Sequence, residues 1–130
     1  MATITEDYVS FEIAKLLKEK GFDKKYPLIP CYKEDNGEFI DIPTTLDTIN
    51  YCFIPAPTLQ MAMKWLREVH NLSIEIYVLK NFDKKICEYT YTIMDLNFPG
   101  SDDGIECCIE YETYEQACEA AIKYCIEHLI

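Results

Sequence analysis

Between residues 73 and 112 the chain alternates apolar and polar side chains with a period of two, and this constrains the fold more than any other feature. Over residues 73–80, Ile74, Ile76 and Val78 alternate with Glu75, Tyr77 and Leu79. Over 85–95, Cys87, Tyr89, Tyr91 and Ile93 alternate with Glu88, Thr90 and Thr92. Over 104–112, Ile105, Cys107, Ile109 and Tyr111 alternate with Glu106, Cys108, Glu110 and Glu112. Turn-forming residues at 81–84 and 99–104 separate the three segments, so neighbouring strands pair antiparallel. Glu75, Tyr77 and Leu79 then share a face with Glu88, Thr90 and Thr92.

Three amphipathic helices surround this pattern. Residues 10–20 carry Phe11, Ala14 and Leu17 at helical spacing, with Ser10 (or Thr5, a turn earlier) as cap and Gly21 placed to end the helix. Thr58 caps a second helix that runs to Asn71, with Leu59, Ala62, Met63, Leu66 and Val69 facing inward. The third opens on the capping box Thr113-Tyr-Glu-Gln116 and turns Tyr114, Ala117, Cys118, Ala121, Cys125 and Leu129 inward. Residues 26–57 are less regular: Asn36-Gly37 signals a tight hairpin between 28–33 and 38–42, and residues 51–54 supply an edge strand. The expectation is one α+β domain over residues 1–130, an antiparallel sheet of three main strands plus a short hairpin, covered on one face by about three helices.

Charge excludes several function classes. The formal net charge is −11, of which residues 95–130 contribute −8 and residues 58–94 contribute +1. Such a surface repels phosphate backbones and anionic lipid, which argues against nucleic-acid binding and membrane association through charge. No apolar run reaches the ~18–20 residues needed to span a bilayer, and the N-terminus lacks the pattern of a secretory signal, so a cytoplasmic protein is expected. Seven cysteines without a CxxC pair or zinc-finger spacing read as reduced, buried thiols that act as small hydrophobes.

Catalytic constellations are sparse. His70 ends a helix and His128 sits near the C-terminus; a dyad of His70 with Cys87 or Cys108 lacks a glycine-rich elbow. Glu106, Glu110 and Glu112 are spaced by multiples of two, a row that could hold a divalent ion but reads first as the solvent face of a sheet. Four well-separated glycines exclude a phosphate-cradling loop. No catalytic residue, metal site or cofactor is assigned.

Residues 7–22 (DYVSFEIAKLLKEKGF), 56–71 (APTLQMAMKWLREVHN) and 113–130 (TYEQACEAAIKYCIEHLI) resemble small uncharacterised proteins of gut Bacteroidetes and of their phages and prophages. The likeness covers 50 of 130 residues and lies in helices and caps. It implies an accessory protein of phage or mobile elements in a bacterial cytoplasm, and transfers no site residue.

The leading expectation is a non-catalytic interaction protein, homodimeric, binding a host or phage protein through an acidic, tyrosine-rich face that includes Glu75, Tyr77, Glu88, Glu106, Glu110 and Glu112. One version is a mimic of DNA's charge, which requires those acids at regular spacing along one face. The alternative is a protein that sequesters a small ligand such as a signalling nucleotide, using Lys64, Arg67, Lys84 and Lys85. An enzyme built on Cys–His or carboxylate chemistry is the third and weakest reading.

Overall fold

The computed structural model describes residues 7–22, 30–40, 53–81, 86–97, 104–107 and 109–130. Thr5, Cys52, Cys108 and residues 82–85, with Lys84 and Lys85 of the expected cationic set, lie outside the described residues. The chain divides into two compact units, residues 1–61 and 62–130, each built around a three-stranded antiparallel sheet. The class is α+β, and the short hairpin belongs to a sheet of its own.

In the first unit, α1 (Phe11–Glu19) starts where Ser10 Oγ accepts a hydrogen bond from Ile13 N–H at 3.3 Å. It ends in a Schellman motif. Gly21 takes φ +96°, its N–H donates to Lys18 O, and Phe22 N–H donates to Leu17 O. Ile13, Ala14 and Leu17 are buried, and α1 packs on β3 (Phe53–Pro55). β1 (Cys31–Lys33) lies between β2 (Phe39–Ile40) and β3. The hairpin loop spans residues 34–37 rather than Asn36-Gly37 alone: Gly37 has φ +73°, and Asn36 Oδ1 accepts from Glu38 N–H at 2.9 Å. Phe11 sets the space at this turn, because a Cβ on Gly37 would lie 3.1 Å from its ring.

The boundary between units falls in the first turn of α2 (Leu59–His70), capped by Thr58 Oγ1 accepting from Met61 N–H at 3.1 Å. Leu59, Ala62, Met63 and Leu66 are buried, whereas Val69 is 58% exposed. At 100° per residue Val69 falls well off the centre of that stripe while His70 falls close to it, so the inward position in the last turn goes to His70. Asn71, at φ +57°, ends the helix and turns the chain into β4 (Leu72–Asn81). Asn97 secures the corner, donating to His70 O and accepting from the Asn71 side-chain amide, both at 3.0 Å.

In the second unit, β4 and β5 (Ile86–Asp95) pair over ten consecutive positions, and β6 (Ile105–Glu106) adds to β5. Leu72, Tyr91 and Ile93 are buried on the face where α3 (Tyr114–Tyr124) packs against β4 and β5. The capping box forms as the sequence predicts, Thr113 Oγ1 accepting from Gln116 N–H and Gln116 Oε1 accepting from Thr113 N–H. Ala117, Cys118, Ala121 and Ile122 are buried, and the small side chains let helix and sheet approach closely. A π-helical turn, Cys125–Leu129, then shifts the phase so that Cys125 and Ile126 are buried and Leu129 is not.

Candidate functional site

The face of the second sheet opposite α3 collects most of the residues singled out in the sequence. Its rows follow from the register: Leu79 lies opposite Glu88, Tyr77 opposite Thr90, and Glu75 opposite Thr92, which pairs in turn with Glu106. The parity read from the alternating pattern is therefore the parity of the sheet. Glu75, Leu79 and Glu106 are exposed and Tyr77 is 42% exposed, while Glu88, Thr90 and Thr92 are half-buried. The Tyr77 hydroxyl donates to Glu75 Oε2 at 3.0 Å, which holds the phenol along the strand and leaves its ring turned outward. Glu75 and Glu106 are two strands apart, roughly 9–10 Å between Cα atoms. That separation suits a broad negative surface with an aromatic beside it on β4 better than two carboxylates sharing one ion.

Glu110 and Glu112 do not continue this row. The strand expected over residues 104–112 stops after Glu106, because a bulge intervenes. Cys107 N–H still donates to Tyr91 O, but the next pair is Tyr89 with Tyr111, so Thr90 alone on β5 spans the longer outer stretch that includes Ile109 and Glu110. Thr90 Oγ1 lies 2.9 Å from Ile109 O and 3.3 Å from Cys107 O, and Ile109 N–H donates to Cys107 Sγ at 3.3 Å. These bonds take over from the missing ladder. Ile109, expected to face inward, is 60% exposed. Glu110 and Glu112 are exposed on either side of Tyr111, beyond the bulge. The evenly spaced acidic row that a DNA mimic requires is thus interrupted, and that version of the reading is set aside.

Gly104 opens β6 at close quarters. A Cβ there would stand 2.7 Å from both Met94 Sδ and Thr92 Cγ2. Nothing but glycine lets the strand start against these two side chains, and the sequence marks Gly104 only as a turn residue.

Beneath the sheet, tyrosines and thiols lie close together. Tyr91 and Tyr111 stack at 6.4 Å between ring centroids, and Tyr89 meets Tyr114 edge-on at 6.2 Å. Burial, reinforced by the Cys107 thiol, raises the Tyr91 hydroxyl well above the ordinary phenol range; burial first and then Cys107 also raise Tyr111. Burial pushes the Cys118 thiol up to about 11 and the Cys125 thiol up to about 12. Both are thiols, not thiolates, at neutral pH, and therefore poor nucleophiles. Cys31 is buried as expected, whereas Cys87 is exposed and Cys107 is half-buried. Cys87 departs from expectation because it pairs with Lys80 near the far end of the hairpin, where side chains on both faces are exposed.

That position also separates Cys87 from His70. His70 adjoins the Leu72–Asp95 end of the sheet, eight residues along β5 from Cys87, roughly 26 Å by strand rise. The dyad of Cys87 with His70 does not form. The His70 ring instead packs on Trp65 at 4.6 Å, and His128 lies against Tyr124 at 4.7 Å. Among the described residues, no group of three or more His, Cys, Asp and Glu side chains is placed to hold a metal ion. Among them, too, no helix is long and apolar enough to cross a membrane. Of the cationic set proposed for a nucleotide, Lys64 and Arg67 are both exposed, three residues apart on α2. Comparison with protein-family models, with curated proteins and with solved structures finds no match to this chain.

Proposed function

We propose that this chain is a non-catalytic interaction protein that binds a protein partner through the face bearing Glu75, Tyr77, Glu88 and Glu106, and that it does so as a homodimer. The observation that carries the reading is Tyr77: an exposed aromatic, oriented by a hydrogen bond to Glu75, set among threonines and carboxylates on a sheet face. Tyrosine brings large, rigid contact area with few rotors to freeze, and the flanking acids select a basic partner and steer it at long range. Glu110 and Glu112 extend the same negative field from beyond the bulge. The resemblance of the helical stretches to phage and prophage proteins suggests a host or phage protein as the partner, met in a bacterial cytoplasm.

Affinity capture from a gut Bacteroidetes lysate tests the reading. The wild-type chain retains a basic protein whose recovery falls as salt rises, and the variant Glu75→Gln/Tyr77→Ala/Glu106→Gln loses it while its circular dichroism is unchanged. Equal recovery by wild type and variant overturns the assignment of this face.

A further inference from the structure

The second sheet has an edge as well as a face. β4 pairs with β5 through ten positions without a bulge, and among the described residues no strand lies along its other side. Natural sheets guard such an edge with proline, bulges, inward charge or brevity. β4 (LSIEIYVLKN) has no proline and no bulge, and its only charges are Glu75 and Lys80.

The direction of its backbone groups follows from the bonds on β5. Tyr89 and Tyr111 exchange both of their backbone hydrogen bonds, and Tyr91 O accepts from Cys107 N–H. The backbone groups of Tyr89 and Tyr91 thus point towards the β6 side, and those of Glu88, Thr90 and Thr92 point to β4 at Leu79, Tyr77 and Glu75. Leu96 N–H donating to Asn71 O fixes the same phase. The N–H and C=O groups of Ile74, Ile76 and Val78 are left pointing out of the sheet along its free edge.

We propose that this edge is the homodimer interface: β4 pairs antiparallel with β4 of a second copy about a two-fold axis through Ile76, joining two three-stranded sheets into one of six. The proposal rests on the homodimeric part of the reading above and names its surface and register. In this register Ile76 faces Ile76, Ile74 faces Val78 of the second copy, and Glu75 faces Tyr77 of the second copy. Cross-strand pairs of β-branched residues are favourable, and no like charges stand opposite one another. Shifting the axis to Glu75 would set that carboxylate against itself.

Charge selects a second copy for this surface. A molecule carrying −11 is repelled by its twin nearly everywhere, but residues 58–94 are at +1 and β4 itself is neutral. A basic partner is drawn to the acidic face instead. Val78, 54% exposed on the helix side, gains Ile74 of the second copy as an apolar neighbour, while Leu79 comes to face Ser73 of the second copy. The two-fold axis stands perpendicular to the sheet, so the two Glu75–Tyr77 faces lie side by side on one surface and present a doubled site.

Sedimentation equilibrium together with site-resolved amide exchange tests this. The wild-type chain sediments at twice its 15.2 kDa mass, and the amides of Ile74, Ile76 and Val78 exchange at least ~10-fold faster on dilution to monomer. Val78→Pro removes one outward donor and no bond to β5, and Val78→Lys adds a charge to the edge; both sediment as monomers with unchanged circular dichroism. If Val78→Pro unfolds, Val78→Lys alone decides. A wild-type chain that is monomeric at every concentration refutes both the dimer and its interface. A dimer whose Ile74, Ile76 and Val78 amides stay in fast exchange, or that survives Val78→Lys, refutes the interface alone.

Discussion

At the scale of single residues, two glycines are needed for different physical reasons. Gly21 has open space around its missing Cβ, but its φ of +96° strains any other side chain. Gly104 has no such strain, yet a Cβ would collide with Met94 and Thr92. Gly21→Ala is expected to lower stability by about 1 kcal/mol, and Gly104→Ala by about 1–3 kcal/mol, because Thr92 is β-branched and cannot swing aside. Urea unfolding of the two variants gives the order. Titration of the buried thiols makes a second prediction. The ordinary thiol value is 9.0, and Cys118 and Cys125 are held at about 11 and about 12 in the folded chain. A raised folded value means that the native state holds these protons more tightly. The resulting stability is complete below about 9 and is lost as pH rises towards about 12. The denaturation midpoint should therefore fall above pH about 9, less steeply in Cys125→Ala. At neutral pH, thiol alkylation of the folded chain should label Cys87 before Cys118 or Cys125. Burial of Cys118 and Cys125 was legible from helical phase, and that of Cys31 only from the general expectation of buried thiols. Exposure of Cys87 was not, because alternation tells which face a side chain takes and not how far along the strand the covering helix reaches.

At the scale of elements, caps and periodicity carried most of the information. Ser10, Gly21, Thr58, Asn71 and the box of Thr113 with Gln116 all act where the sequence places them, since each is a local bond or a local dihedral. Thr113→Ala removes the acceptor for Gln116 N–H and should cost about 1 kcal/mol, visible as a lower thermal midpoint. α3 packs on the sheet of its own unit, so fraying at its start should also loosen the Tyr89–Tyr114 contact. What the pattern missed depends on longer-range partners. The bulge after Cys107 is written in no glycine or proline; it forms because the Thr90 hydroxyl on the neighbouring strand can serve the freed carbonyls. The π-helical turn at Cys125–Leu129 likewise replaces Leu129 by Ile126 on the inward side without a local signal. Four of the six expected face residues, Glu75, Tyr77, Glu88 and Glu106, share one sheet face, because β4 and β5 run in unbroken register and β6 keeps it as far as Glu106.

At the scale of the whole molecule, charge and open surface work together. Of the acids in residues 95–130, Asp95 ends β5, and Glu106, Glu110, Glu112, Glu115, Glu119 and Glu127 lie on and after the outer strand of the second sheet, so the negative field and the exposed tyrosine belong to one compact unit. The division into two units was not legible, since no proline- or glycine-rich linker marks it and the boundary runs through a helix. The field predicts that partner association slows with added salt far more than dissociation quickens, because screening acts on the approach. The most direct measurement is capture from the lysate by the wild-type chain beside the Glu75→Gln/Tyr77→Ala/Glu106→Gln variant, both confirmed folded. The account predicts a salt-sensitive basic protein held by the first and missing from the second. The same protein held equally by both, or by neither, would contradict it.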